Sequence, residues 1–97
     1  MKAVMIIYNL ALTEKVEFTL EHFGINGYSQ FENVKGSGTS TGVPHLGTHT
    51  WPEINGAILT FVNEEKVDPL LLAVQKIDEI NKEVGIRAFV WDILQAV

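Results

Sequence analysis

An α+β sandwich, with one four-stranded antiparallel sheet and two helices on one face of it, is what this sequence predicts. Three observations lead there. Four short runs are rich in apolar or β-branched residues, two longer stretches repeat their apolar positions at helical spacing, and glycine or proline punctuates most of the changes between them. The chain has 97 residues, near the usual size for one core, and residues 1–97 are read as a single domain.

Taken in order, Lys2 to Tyr8 is almost wholly apolar, as a strand buried on both faces would be. Its charged start and apolar run resemble a leader peptide, but Asn9 interrupts the run and no small-residue cleavage site follows, so a first strand is the better reading. Thr13 is placed to cap a helix to about Phe23, with Glu14 in its first turn and Val16, Leu20 and Phe23 on one face. Gly24 falls where a left-handed helix end needs it, and His22 stands by the last carbonyls in a structural role. Tyr28 to Lys35 reads as a second, more polar strand. Gly36 to Trp51 reads as loop, with Pro52 and Asn55-Gly56 marking its end.

Ala57 to Val62 is a third strand. A second helix of about twenty residues follows, capped by Asn63 or, since Pro69 suits a first turn, by Asp68. Its apolar face takes in Val67, Leu70, Leu71, Val74, Ile77 and Ile80, and Gly85 ends it. Ile86 to Trp91 is the fourth strand. The order β-α-β-β-α-β is that of the ferredoxin-like fold. Helices cover one face of such a sheet, yet three of these strands are apolar at consecutive positions. The second face is therefore expected to be apolar as well, and a closed homo-oligomer is expected to hide it.

Composition removes several functions. A net charge of -5 offers no basic patch for nucleic acid or an anionic membrane surface. No run approaches the roughly 20 apolar residues of a membrane span, so direct membrane insertion is not expected. The chain has no cysteine, hence no disulfides or thiol chemistry, which fits a cytoplasmic protein. Carboxylates such as Glu14, Glu17, Glu21, Glu64, Glu65, Asp78 and Glu79 read as solvated helix faces, and no Ser-His-Asp or carboxylate pair presents itself. Catalysis is not expected.

What chemistry there is concentrates between Lys35 and Trp51. Gly38-Thr39-Ser40-Thr41-Gly42 matches the G-x-S-x-G of a nucleophile elbow, but no helix follows it. Gly36, Gly38 and Gly42 miss a dinucleotide fingerprint by one position. These glycines would let backbone N–H groups approach an anion closely, or would merely permit the loop to bend. His45 and His49 have the spacing of a helical metal pair, but stand in a loop with Pro44 and Gly47. With Glu53 or a neighbouring subunit they would suit a divalent transition metal; otherwise they hydrogen-bond the loop to itself. Trp51 is read as an anchor for the loop and Trp91 as core or subunit interface.

Asn33-Val34-Lys35-Gly36-Ser37-Gly38, on a strand entering a long loop, resembles the V-K-G-x-G segment of the PII signal-transduction proteins. Met1-Lys2-Ala3-Val4-Met5-Ile6-Ile7, Phe23-Gly24-Ile25-Asn26-Gly27 and Arg87-Ala88-Phe89-Val90 resemble PII segments in the same register. The loop is shorter than in that family and has no tyrosine between Ser37 and Trp51. The basic turn before the last strand is reduced to Lys82-Glu83-Val84-Gly85-Ile86-Arg87, leaving Arg87 where a phosphate-contacting lysine would stand. The chain is most similar to the minimal PII-like proteins, some of which accompany heavy-metal efflux transporters.

The resemblance implies a homotrimer that binds a small ligand, an adenine nucleotide or other anion, between subunits. Lys35, Gly36, Ser37, Gly38, Thr39 and Arg87 would make the site, and loop 36–51 would contact a partner protein such as a membrane transporter. Two alternatives stand beside it: a metal-binding trimer similar to the CutA proteins, using His45 and His49, and an amino-acid-binding domain similar to the ACT modules.

Overall fold

The computed structural model describes residues 1–36 and 53–97. Strands β1 (Lys2–Asn9), β2 (Tyr28–Gly36), β3 (Glu53–Val62) and β4 (Ile86–Asp92) form one antiparallel sheet in the order β2-β3-β1-β4. Helices α1 (Thr13–His22) and α2 (Val67–Ile80) follow β1 and β3. This is the ferredoxin-like order, with the two longest apolar strands at the centre.

The core lies between sheet and helices. Val4, Ile6 and Tyr8 of β1, Ile58 of β3 and Ile86 of β4 meet Val16 and Leu20 of α1 and Val67, Leu70 and Val74 of α2. Each fully buried side chain of this kind contributes roughly 1.5–3 kcal/mol. Alternation sends the other strand residues to the opposite face. Ala3 lies there with Phe61 and Trp91 paired on either side of it, and Met5 between Leu59 and Phe89. Phe31, Phe61, Phe89 and Trp91 remain 50, 51, 52 and 45% exposed on that side. The second face is apolar, as its sequence pattern requires, and Trp91 belongs to it rather than to the core.

Several boundaries differ from the sequence reading. A 3₁₀ turn, Leu10–Leu12, precedes α1, and its cap is Asn9, whose side chain accepts from the Ala11 amide at 2.9 Å. Thr13 is already helical, its hydroxyl donating to the Leu10 carbonyl at 2.7 Å. Asn63 likewise precedes a 3₁₀ turn, Glu64–Lys66, without a side-chain capping bond, and Asp68 and Pro69 fall in the first turn of α2. That helix stops at Ile80, short of Gly85: Asn81 leaves the helical conformation at φ -115°, ψ 60°, and its side-chain amide donates to the Ile77 carbonyl at 2.9 Å.

The end of α1 is as expected. Gly24 has φ +68°, the Gly24 amide donates to the Glu21 carbonyl at 3.0 Å and the Ile25 amide to that of Leu20 at 2.9 Å, the pattern of a Schellman cap. Lys66 Nζ adds a donor to the Phe23 carbonyl at 2.9 Å. The His22 ring packs between Phe18 and Phe23, with centroids 6.3 and 5.0 Å away.

Candidate ligand-binding site

The candidate residues begin where β2 leaves the body of the sheet. β2 pairs regularly with β3 up to Phe31, slips, and resumes at Val34. Asn33 takes up the slip in a left-handed conformation, φ 59°, which asparagine tolerates better than most residues. Beyond it Lys35 pairs with Ile54 and Gly36 with Glu53, so both residues still belong to the paired hairpin. Ser37, Gly38, Thr39, His45, His49 and Trp51 lie outside the described residues.

The pairing of β3 from Glu53 corrects the reading of Asn55-Gly56 as the end of the loop. Both residues sit inside the strand, Asn55 opposite Asn9 and Gly56 opposite Tyr8. The Tyr8 ring explains the glycine. A Cβ on Gly56 would lie 2.8 Å from the phenol carbon and oxygen, so only glycine lets the buried ring lie there. The Tyr8 hydroxyl accepts from the Gln30 side chain at 3.1 Å, and the same amide reaches Glu17 on α1 at 3.2 Å. This polar string ties β2 across the sheet to α1. The bulge and the string carried no sequence signal beyond the polar character of β2.

Arg87 stands on the opposite edge strand, paired with Ile7. Its guanidinium turns back toward α2. Nη1 donates to the Ile86 carbonyl at 2.8 Å and lies 3.2 Å from the Asp78 carboxylate. With side chains 64 and 39% exposed, such an ion pair contributes about 0–1 kcal/mol. Phe31, Ala57, Ile7 and Arg87 form one row of paired residues across the four strands. Three strand spacings separate its ends, about 14 Å. The structure therefore does not bring Arg87 to Lys35 and Gly36 within one chain.

The rest of the surface bears on other readings. Among the described residues there is no group of three or more His, Cys, Asp or Glu able to hold a metal ion. No helix among them is long and apolar enough to cross a membrane. A groove of about 360 Å³ between α1 and α2, lined by Phe18, Ile77 and Ile80 among others, includes none of the candidate residues. At the far end of the sheet Lys2 binds Asp92 and lies 3.7 Å from Glu64. The hydrogen bond to Asp92 raises the Lys2 pKa, and the same bond lowers that of Asp92.

Strand order and register define a ferredoxin-like βαββαβ protein. Within that class, the family model of the nitrogen regulatory protein P-II matches residues 1–97, and the chain belongs to that family. The full-length match goes to the first of the three families weighed from the sequence. No curated protein matches the chain.

Solved structures agree. CPII from Thiomonas intermedia K12, bound to ADP and bicarbonate, superposes with a TM-score of 0.73 at 29% identity, over 95% of this chain and 84% of CPII. CPII bound to ADP, AMP and bicarbonate gives 0.71 at 27%, over 95 and 90%. Apo CPII, at 23% identity and a TM-score of 0.69 over 95 and 89%, shares the fold.

Proposed function

We propose that this P-II family member is a homotrimeric, cytoplasmic signalling protein that binds an adenine nucleotide, with a small anion, in clefts between its subunits. Lys35, Gly36, Ser37, Gly38 and Thr39 of one copy and Arg87 of the next would hold it. One observation carries the reading: the two candidate segments stand on opposite edge strands, three strand spacings (about 14 Å) apart across the sheet and three or more residues apart along it. An anion the size of phosphate or bicarbonate cannot touch both segments of one chain, so a single such group held by both needs two copies. The exposed aromatic face supplies the reason for copies to associate, since monomers rarely leave such a patch bare. The solved structures of CPII with ADP and bicarbonate support the ligand class.

Residues 36–51, which connect β2 to β3 in the sequence, would contact a partner protein such as a membrane transporter. To transmit anything, the ligand must bind one state of that segment more tightly than another. The test is calorimetric titration with ADP, ADP plus bicarbonate, and ATP, beside the mass of the assembly in solution. Saturable ADP binding by a particle three times the mass of one chain is expected. A monomer, or an assembly that takes up none of these ligands, contradicts the reading.

A further inference from the structure

We infer that Asp78 is a built-in competitor for the phosphate of the ligand: it pairs with the Arg87 guanidinium on which the anion would also draw. The inference rests on the assignment of Arg87 to the nucleotide site and adds how that site is regulated. The geometry is a three-way contact at Nη1. The Ile86 carbonyl takes it at 2.8 Å and the Asp78 carboxylate stands at 3.2 Å, across the turn joining α2 to β4. A phosphate that draws on the same guanidinium meets a carboxylate a few ångströms away and either displaces it or is repelled by it.

Asp78 could instead act as a positioning residue, holding Arg87 ready, which would give a variant the opposite sign. The Ile86 carbonyl decides between them. It belongs to the backbone of a buried residue, and it keeps orienting the guanidinium after the carboxylate is gone. Removing Asp78 thus deletes a repelling charge while leaving an orienting bond in place. Both side chains are largely solvated, so the effect is modest and salt-dependent. It tunes affinity rather than gating it. An acidic protein with one cation on this strand edge would thereby bind its anion more weakly than that cation allows.

The experiment is an ADP titration of the wild type, Asp78→Asn, Arg87→Ala and the double variant, at low and at high salt. Asp78→Asn is expected to tighten ADP about three- to five-fold at low salt, with the gain shrinking as salt rises. Arg87→Ala weakens binding, and most of the gain disappears in its background, because the carboxylate acts through the guanidinium. Unfolding midpoints of the two single variants check that neither has lost its fold. Binding that Asp78→Asn leaves unchanged or weakens overturns the competitor role alone. No ADP uptake by wild type or Asp78→Asn overturns both that role and the nucleotide assignment beneath it.

Discussion

The phenol of Tyr8 lies over Gly56 so closely that a single methyl group on the glycine would stand 2.8 Å from the ring carbon bearing the hydroxyl. Tyr8 is buried on the central strand and its hydroxyl is engaged by Gln30, so the ring has little freedom to yield. Gly56→Ala should therefore destabilise the fold by about 1–3 kcal/mol, the usual cost of overpacking. Gly85→Ala, where an added methyl meets nothing within 4 Å, should stay within about 0.5 kcal/mol. Urea unfolding of the two variants side by side measures the difference.

A second prediction concerns the join between the helices. Lys66 donates to the Phe23 carbonyl at the C-terminal end of α1, where the helix dipole favours a cation. Lys66→Ala should cost about 1 kcal/mol, and less at high salt. Gly24→Ala should cost about 1–2 kcal/mol independently of salt, because the penalty there is the left-handed backbone. Denaturation at two ionic strengths separates these causes.

The third prediction uses the sign of the Lys2 and Asp92 shifts. Asp92 has its pKa lowered in the folded state, chiefly by the hydrogen bond from Lys2. Its contribution is present above the usual carboxylate pKa, about 4, and is lost as pH falls through the depressed value. The Lys2 pKa is raised, chiefly by the same bond, so its contribution is present at neutral pH and lost as pH rises past about 10.4. Asp92→Asn should lower the unfolding midpoint slightly near pH 7, and the gap to wild type should close as pH falls through the depressed Asp92 pKa. An unchanged gap in acid would contradict the assignment.

Much of this fold was legible because its signals were local. Gly24 after an amphipathic run marked a helix end, and consecutive apolar residues in β1, β3 and β4 marked a sheet apolar on both faces. The errors arose where a tertiary contact outvoted a local signal. Asn55-Gly56 is a strong turn dipeptide, yet it lies in a strand because Tyr8 needs a neighbour without a side chain. Thr13 lost the capping role to Asn9 because a 3₁₀ turn starts the helix early. The proposed site residues Lys35, Gly36 and Arg87 are nominated by the resemblance to PII segments. The Asn33 bulge depends on pairing with β3, and the Asp78 contact joins residues on separate elements with no shared periodicity.

The account turns on ligand binding being a property of the assembly and not of the single chain. Phe61→Glu puts a charge on the open aromatic face, on a residue that is half exposed and outside the core, so it should separate the copies while sparing the fold. The direct measurement is an ADP titration of this variant beside the wild type, with sedimentation of both. The account predicts a folded monomer whose ADP binding is lost. A folded monomer that binds ADP as tightly as the wild type would contradict it.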